Sequence, residues 1–302
     1  MNVLRFAKKC LTNPPAAKRS ALLVLRSIYG ICFWRFFPKK PLRYRLPYGG
    51  CLLLEPGDTF TYCFWPGVES YEPEVRSVVR KILKPGDTFV DCGANVGYFS
   101  VLAGRLVGPE GKVLAIEANP DSLRLLQRNL RANGFGDAVH CALTSHSGDV
   151  DLFMPTTGAT YSSLRVGGLA KGEGLRSFKV PGRMLDEIVA SLGLKKINLI
   201  KIDIEGGELD VLASARKILN QYRPLVLIEY STNTWPAFDA TPQRLKDLMN
   251  QQRYSISQIT FDGRFAPVGE NVWNKEYVNL ALIPRERENE FPSLAGPEQS
   301  SH

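Results

Sequence analysis

The sequence predicts an α/β fold in which a mostly parallel sheet carries helices on both faces. From Thr88 onward, short β-rich runs alternate with segments of helical periodicity, which is the pattern of βαβ units. The 302 residues suffice for one large α/β domain with extensions. Their content of 44% hydrophobic and 23% charged residues is typical of soluble proteins and excludes a collagen, a coiled coil or a wholly disordered chain.

The individual elements follow from the spacing of the apolar residues. We predict strands at 88–91, 112–117, 138–142, 149–153, 197–203, 224–230, 254–260 and 277–284. We predict helices after the glycine-rich turn at 93–97, after Pro120 as far as Asn133, and at 208–219 and 241–251. The last two strands are expected to pair as a hairpin across the loop at Asp262-Gly263. The long insertion at 143–182 is expected to be either functional or disordered.

The positive charge of the chain is concentrated at its N-terminus. The first 54 residues contain eleven Lys or Arg and no acidic residue, whereas the remaining residues contain 27 basic and 30 acidic residues. The net charge of +8 therefore describes the N-terminal segment, which is expected to meet an anionic partner. Within this segment, residues 21–37 are apolar and aromatic between Lys18-Arg19 and Lys39-Lys40. They predict either a helix packed on the globular body or an interfacial membrane contact.

A glycine-rich turn between the first strand and the first helix is the strongest candidate for a ligand site. It reads Asp91-Cys92-Gly93-Ala94-Asn95-Val96-Gly97, and Glu117 ends the next strand. Glycines let the backbone approach a ligand, a helix N-terminus offers free N–H groups, and a carboxylate at a strand tip accepts both hydroxyls of a ribose. The pattern predicts a nucleoside cofactor pocket. The cofactor-binding residues that we predict at the strand tips are Asp91, Gly93, Asn95, Gly97, Glu117 and Ala142.

The glycine spacing distinguishes between nucleoside cofactors. The dinucleotide fingerprint G-x-G-x-x-G needs a second glycine where this chain has Asn95 and a third where it has Tyr98. The acid at Asp91 also disfavours a diphosphate and suits a ligand with cationic groups, such as the amino and sulfonium groups of S-adenosylmethionine. The turn therefore favours S-adenosylmethionine over NAD. The plainer alternative is a tight turn beside an ordinary surface acid.

Four segments of the chain form a recognisable set. They are GDTFVDCGANVGYFS at 86–100, GKVLAIEANP at 111–120, LIKIDIEGGE at 199–208 and RPLVLIEY at 223–230. Together they resemble the FkbM family of S-adenosylmethionine-dependent methyltransferases, over about residues 71 to 284. The K-I-D-x-E-G-x-E pattern distinguishes this family from other class I methyltransferases. One departure is Ala118, where the family commonly has proline, but Glu117 before it is kept.

The resemblance implies a Rossmann-like class I methyltransferase fold with a mostly parallel, seven-stranded sheet. It further implies O-methylation of a hydroxyl on a sugar, glycan or secondary metabolite. Glu72, preceded by Tyr71, matches a family element that is expected to cover the amino-acid end of the cofactor. Tyr161-Ser162-Ser163 also matches a family stretch, which implies a place at the mouth of the active site; an ordinary flexible turn explains these residues equally well.

Lys201, Asp203 and Glu205 alternate along a predicted strand and its tip, so we expect their side chains to project to one side. Methyl transfer to a hydroxyl is helped by a general base or by a metal that acidifies the hydroxyl. We predict Asp203 as that base or as a metal ligand and Glu205 as a residue that orients it. Lys201 is predicted to offset the acids or to contact the substrate. The alternative is a salt-bridged cluster without a catalytic role.

Three acids are predicted at one edge of the sheet, namely Asp203, Glu205 and Glu229. Carboxylate oxygens at such an edge permit a divalent metal, although the sequence does not show one. We therefore treat a divalent metal as an open alternative and assign no metal ligand.

Three regions are expected: a basic, aromatic N-terminal extension at 1–65, a methyltransferase domain at 66–285 and a disordered tail at 286–302. The polar character that suggests disorder begins at Arg285. The six cysteines form no C-x-x-C pair, which favours a reducing cytoplasm, with the extension as a peripheral membrane contact.

The expected partner is a small molecule or glycan that offers a hydroxyl, and the sequence specifies no oligomeric state. No nucleic acid is expected, because amino-group methylases of nucleic acids usually carry an N-P-P-Y-like motif where this chain reads I-D-I-E-G. Two alternatives to the methyltransferase remain. They are a nicotinamide-dependent oxidoreductase and a non-catalytic binding protein with a cofactor fold.

Overall fold

The computed structural model of the chain describes residues 42–55, 71–136, 138–156, 162–168 and 174–291. Several sequence predictions fall outside these described residues. They are the segment at 21–37, the domain boundary at residue 65, Tyr161, and the part of the tail at 292–302.

Thirteen strands and seven α-helices make up the described part of the chain. The strands are β1 (Leu42–Arg45), β2 (Cys51–Leu54), β3 (Thr88–Cys92), β4 (Lys112–Glu117), β5 (Val139–His140), β6 (Ala142–Leu143), β7 (Gly148–Pro155), β8 (Leu175–Arg183), β9 (Leu199–Ile202), β10 (Leu225–Ser231), β11 (Tyr254–Ile259), β12 (Phe265–Pro267) and β13 (Tyr277–Pro284). The helices are α1 (Pro73–Ile82), α2 (Tyr98–Val107), α3 (Pro120–Ala132), α4 (Leu185–Ser191), α5 (Glu208–Ser214), α6 (Arg216–Gln221) and α7 (Pro242–Gln251).

The largest sheet has the strand order β12-β11-β13-β10-β9-β3-β4-β5. Strands β10, β9, β3, β4 and β5 are parallel, and β13, β11 and β12 are added in antiparallel pairs. The predicted α/β class is confirmed. The last two predicted strands, β11 and β13, do pair, but the predicted hairpin across Asp262-Gly263 was wrong because that loop leads into β12. The predicted number of seven strands was one too low, because the chain turns back at Asp262-Gly263 and Phe265–Pro267 pairs with β11 at the sheet edge.

The sheet separates two apolar layers because successive strand residues point to opposite faces. Phe89 and Leu199 belong to the layer covered by α1 and α2. Val90 and Ile200 belong to the opposite layer, which α4, α5, α6 and α7 cover. Helices therefore lie on both faces, as predicted. Within the described ranges, no helix combines the length and the apolar character needed to cross a membrane.

The predicted strand at 138–142 is divided between two sheets. Val139–His140 pairs with β4 in the main sheet, whereas Ala142–Leu143 pairs with β8 in a second, three-stranded sheet. The prediction of one continuous strand was wrong because the chain leaves the main sheet at its edge and enters the insertion. There β7 and β8 form a long antiparallel pair, and the insertion buries Ala142 with Leu152 and Met154.

The hairpin of β1 and β2 lies inside the predicted N-terminal extension but packs on the methyltransferase body. Its backbone is held by two buried asparagines near the end of α3. Asn133 accepts from the Cys51 N–H at 2.9 Å and donates to the Cys51 carbonyl at 2.7 Å. Asn129 Oδ1 accepts from the Leu53 N–H at 2.6 Å. This part of the extension is therefore continuous with the body.

The beginning of the predicted disordered tail is structured. Arg285–Glu290 forms a short 3₁₀-helix after β13. Glu286 accepts from the guanidinium of Arg223, with Nη2 and Oε2 2.9 Å apart, and Phe291 is buried next to Phe265. The expectation of disorder from Arg285 onward was wrong for these residues, because an ion pair and a buried ring compensate for the polar composition.

We predict that Asn133→Ala lowers the free energy of unfolding by about 1–3 kcal/mol, because it leaves buried backbone groups of Cys51 without partners. Urea unfolding measures this effect. Gln127→Ala in the same helix is the control and should change stability by less than about 0.5 kcal/mol. Equal stability of the two variants would contradict the role of Asn133 as a clamp.

Candidate active site

The loop between β3 and α2 is the glycine-rich turn that the sequence singles out. The N–H groups of Gly93 and Ala94 both donate to the Ile116 carbonyl at 3.0 Å, which ties the loop to β4. Gly93 has a φ of 81°, and a Cβ on it would lie 2.0 Å from the carbonyl oxygen of Asp203. Gly93 is therefore needed so that the loop can touch the turn after β9, a role that the sequence did not predict.

Glu117 lies at the tip of β4 and is fixed by two backbone groups. Its Oε2 accepts from the Asn95 N–H and its Oε1 from the Asn119 N–H, each at 2.7 Å. Burial raises the pKa of Glu117 to about 7, against the lowering effect of the Asn119 and Asn95 N–H groups. Each carboxylate oxygen has more than one lone pair, so both oxygens can still accept a hydroxyl. The geometry fits the two hydroxyls of a ribose.

Asp91 is buried on β3 directly beside Lys201 of β9, its partner in the parallel register. Its Oδ2 accepts from the Ser100 hydroxyl at 2.6 Å. Burial raises the pKa of Asp91, and the neighbouring charge of Lys201 and the Ser100 hydroxyl oppose this effect. Asp91 is therefore part of a buried charged group that spans β3 and β9.

Lys201 is only 5% exposed, and its ammonium lies among carboxylates. Its Nζ is 2.8 Å from Asp203 Oδ2 and 3.8 Å from Glu72 Oε2, and it lies 4.9 Å from the centre of the Phe99 ring. Burial alone would lower the pKa of Lys201, but Asp203, Glu72 and Asp91 raise it above its ordinary value. Of the two predicted roles, this arrangement favours the cation that offsets the acids.

The balance of charge at this site fits S-adenosylmethionine. Three carboxylates, those of Glu72, Asp91 and Asp203, surround the single ammonium of Lys201. The excess of negative charge in a buried site attracts a ligand that carries cationic sulfonium and amino groups. Together with Glu117, these residues offer oxygen acceptors that suit a ribose and a counter-charge that suits a cationic ligand.

Glu72 reaches this group from the start of α1. It is the N-cap residue of that helix and has a φ of 37°. Its position beside Lys201 is consistent with the predicted place near the cofactor. Ala142 lies at the start of β6, where it is buried in the cluster against which Ala118 packs. Since Ala118 directly follows Glu117, the structure places Ala142 near the tip of β4.

Glu205 lies in the turn after β9 rather than on the strand, which ends at Ile202. Its φ of 59° is in the left-handed region. Ser163 of the insertion donates its hydroxyl to the Glu205 carbonyl at 3.3 Å, so the stretch expected at the mouth of the site touches this turn. The structure thus joins Lys201 and Asp203 directly, and the orienting role of Glu205 stays a prediction.

The three acids considered as metal ligands do not form a metal site. Among the residues that the structure describes, no group of three or more His, Cys, Asp or Glu is arranged to hold a metal ion. Asp203, Glu205 and Glu229 are all described, so they do not make the oxygen cage that their positions in the sequence permitted. Asp203 is instead paired with Lys201, and the backbone turns at Glu205.

The profile of the methyltransferase FkbM domain matches residues 91–256, which is more than half of the chain. The chain belongs to the FkbM methyltransferase family. The matched region begins at Asp91 and includes the cofactor loop, Glu117, Lys201 and Asp203. The resemblance inferred from the four sequence segments is therefore confirmed.

Individual relatives of this FkbM-family chain share limited sequence identity with it, over only part of its length. Hexuronic acid methyltransferase AglP of Haloferax volcanii is 30% identical over 165 residues, which cover 53% of this chain and 64% of that protein. The 31-O-demethyl-FK506 methyltransferase FkbM of Streptomyces tacrolimicus is 31% identical over 157 residues, covering 43% and 60%. The chain thus spans less than two thirds of both curated relatives. The crystal structure of a methyltransferase FkbM from Methylobacillus flagellatus KT shares 18% identity over 74% of this chain and 52% of that one, with a TM-score of 0.41.

Three residues of the site were not assigned to it from the sequence. Ser100 binds Asp91, the Asn119 N–H binds Glu117, and Glu208 binds the turn after β9. Asn119 carries a local signal, since it precedes Pro120 and its side chain caps α3. Glu208 opens a helix, where an acid suits the helix dipole, so a structural role explains it as well as a catalytic one. Ser100 carries no such signal.

We predict that the free energy of unfolding falls as the pH rises from about 4.5 to about 8. Burial raises the pKa of Glu117 to about 7 and of Glu208 to about 8, from an ordinary value of 4.5. In this range the unfolded chain releases protons that the folded chain keeps, so unfolding becomes more favourable with rising pH.

Denaturant unfolding at pH 5, 6, 7 and 8 measures this dependence. Glu208→Gln keeps the shape of the side chain but cannot ionise. The free energy of unfolding of this variant minus that of the wild type should therefore be larger at pH 8 than at pH 5. Glu117→Gln should show the same trend over the range up to pH 7. Parallel curves for the wild type and both variants would disprove the assignment.

Proposed function

We propose that this protein transfers a methyl group from S-adenosylmethionine to a hydroxyl oxygen of a sugar, glycan or secondary metabolite. The observation that carries the proposal is the position of Asp203. Its carboxylate is paired with Lys201, while its backbone carbonyl touches Gly93 of the cofactor loop. A carboxylate next to a nucleoside pocket is where a base for methyl transfer is needed.

S-adenosylmethionine, when bound, supplies an electrophilic methyl group on a positively charged sulfur. Glu117 holds the ribose hydroxyls, and Glu72 and Asp91 provide negative charge for the cationic end. Asp203 would receive the proton that the acceptor hydroxyl loses as the new C–O bond forms and the methyl–sulfur bond breaks, which leaves S-adenosylhomocysteine as the neutral thioether product. Lys201 pairs with Asp203 and holds its carboxylate in place. The hydrogen bond between the Asp203 N–H and the Cys92 carbonyl fixes the turn against the loop, which would limit the motion of groups bound there and lower the entropic barrier.

The charges of the site favour a hydroxyl over a carboxylate as the acceptor. The ammonium of Lys201 already neutralises one of the three surrounding acids and lies close to a second. An acceptor carboxylate would add a further negative charge to a poorly hydrated site. A neutral hydroxyl avoids this cost and uses Asp203 as a base. The expected product is therefore a methyl ether rather than a methyl ester.

The names of two relatives support a sugar or a secondary metabolite as the acceptor. One is named as a hexuronic acid methyltransferase, which points to a sugar, and another is named for an O-demethylated compound, which points to methylation at oxygen. The alternative of a nicotinamide-dependent oxidoreductase is disfavoured, because Asn95 takes a φ of 52° at the position where a dinucleotide loop needs glycine. The alternative of a non-catalytic binding protein predicts cofactor binding without a product.

The decisive experiment is to incubate the protein with isotopically labelled S-adenosylmethionine and an extract of small molecules and glycans, and to search for labelled products by mass spectrometry. We expect label in a product that resists mild alkali, as ethers do and esters do not. Thermal unfolding with each cofactor is the control: S-adenosylmethionine at one hundred times its Kd should stabilise the protein by about 2.7 kcal/mol, and NAD should not. Stabilisation by NAD alone would overturn the proposal.

Two variants separate binding from transfer. Glu117→Ala should weaken S-adenosylmethionine binding at least about tenfold in calorimetry, because it removes hydrogen bonds to a charged acceptor.

Asp203→Asn should retain binding but lower the rate of transfer about 100-fold or more, because it removes the base. Near-normal turnover by the Asp203 variant would exclude it from the mechanism.

The basic N-terminus is proposed as a peripheral contact with an anionic membrane surface. Its sequence combines nine Lys or Arg within residues 1–40 with the aromatic segment at 21–37. In the described hairpin that follows, Arg43 and Arg45 are exposed on β1. The expected cellular location is the cytoplasm next to such a membrane.

Deletion of residues 1–40 leaves the hairpin in place and should abolish most co-sedimentation with vesicles that contain phosphatidylglycerol, because each basic residue near such a surface adds about 1 kcal/mol. Vesicles of phosphatidylcholine alone are the control and should bind neither form. Unchanged sedimentation of the deletion variant with anionic vesicles would exclude the contact.

A further inference from the structure

The turn between β9 and α5 lies directly against the cofactor loop. The N–H of Asp203 donates to the Cys92 carbonyl at 3.0 Å, and the Asp203 carbonyl occupies the space where Gly93 would carry a Cβ. A shift of this turn would therefore move Asp203 relative to the cofactor. The backbone conformation of this turn therefore sets the position of the proposed base.

The path of this turn is not one that the chain adopts readily. Glu205 has a φ of 59°, although it is not glycine, and Gly206 has a φ of 117°. A non-glycine residue in the left-handed region costs free energy and persists only when its surroundings enforce it. Phe238 restricts the turn from one side, since a Cβ on Gly206 would lie 2.6 Å from its ring. The N–H groups of Ile204 and Gly206 in this turn also need hydrogen-bond acceptors.

The side chain of Glu208 accepts hydrogen bonds from both of these N–H groups. Its Oε1 accepts from the N–H of Ile204 at 3.1 Å and from the N–H of Gly206 at 3.2 Å. The side chain is 1% exposed, and its Oε2 has no hydrogen-bond partner among the described residues. Burial raises the pKa of Glu208 to about 8, against these hydrogen bonds, and the charge of Asp203 raises it further. A mostly neutral acid at this position limits the charge beside Asp203.

We infer that Glu208 is a positioning residue for methyl transfer, which acts by clamping the turn that carries Asp203 against the cofactor loop. The inference rests on the proposed function, because it takes Asp203 to be the base. Glu208 itself touches neither acceptor nor cofactor in this role. It works through the N–H groups of Ile204 and Gly206, the residues on either side of Glu205. The essential property is an acceptor oxygen at Oε1, not a negative charge.

The test compares three variants with the wild type. Glu208→Ala removes the clamp, and Glu208→Gln keeps an acceptor oxygen in the same place. Asp186→Ala is a matched control, because Asp186 also accepts from two backbone N–H groups, those of Lys217 and Ile218 at 3.1 and 3.0 Å, but it holds the start of α6 instead of the site. All four proteins are measured for the affinity for S-adenosylmethionine, the initial rate of labelled methyl transfer into the extract, the thermal midpoint, and hydrogen exchange across residues 203–207.

We expect Glu208→Ala to lower the transfer rate about 100-fold, the size of effect that a displacement of about 1 Å can cause, with the Kd of S-adenosylmethionine changed less than about threefold. Hydrogen exchange across 203–207 should become faster in this variant alone. Glu208→Gln should keep a rate within about threefold of the wild type. Asp186→Ala should lower the thermal midpoint but keep the wild-type rate.

Four results would overturn the inference. The first two concern Glu208→Ala: a normal transfer rate, or a loss of cofactor affinity as large as the loss of rate. The third is a transfer rate in Glu208→Gln as low as that of Glu208→Ala. The fourth is a transfer rate in Asp186→Ala as low as that of Glu208→Ala. A wild-type protein that binds no S-adenosylmethionine and transfers no label would instead remove the proposed function. The two failures are thus distinguishable, because only the second affects the wild type.

Discussion

The burial of one ammonium group among three carboxylates is the interaction on which the site depends. Lys201 is held by Asp203 from the tip of its own strand, by Glu72 from the start of α1 and by Asp91 from the neighbouring strand. A buried charge without partners costs several kcal/mol, and so do buried carboxylates that lose their cation. One cation therefore connects three elements and holds the acids of the site close together.

A second constraint, between backbones, brings the cofactor loop and the turn after β9 into contact. Because the tips of β3 and β9 are neighbours, the loop at Gly93 and the carbonyl of Asp203 compete for the same space, and only glycine permits the contact. Glu117 fixes the same loop from the other side through the Asn95 N–H. The carboxylate proposed to bind the ribose and the carboxylate proposed as the base thus flank one loop that hydrogen bonds fix at the sheet edge.

The departures from the predicted structure have a common origin. The strand at 138–142 divides between two sheets, and an eighth strand joins the edge, because strand pairing depends on distant segments and not on local apolar pattern. The residues after Arg285 were expected to be disordered from their polar composition, but Arg223 and Phe265 provide partners that composition does not reveal. The acids expected to permit a metal site are separated by the turn at Glu205 and by the pairing of Asp203.

The sequence by itself determined the α/β class, the family, the cofactor loop, and the acids at the ends of β3, β4 and β9. It did so because periodicity and glycine spacing are local, and because parallel strands bring their carboxyl ends to one edge. Only the tertiary structure decided that Glu72 meets Lys201, that Asn133 fastens the N-terminal hairpin, and that Oε1 of Glu208 holds the site turn. Glu72 and Asn133 bind residues more than 80 positions away in the chain. Glu208 reaches back to a turn in which Glu205 and Gly206 have positive φ. Neither the distant packing nor the unusual backbone path is encoded by a local pattern.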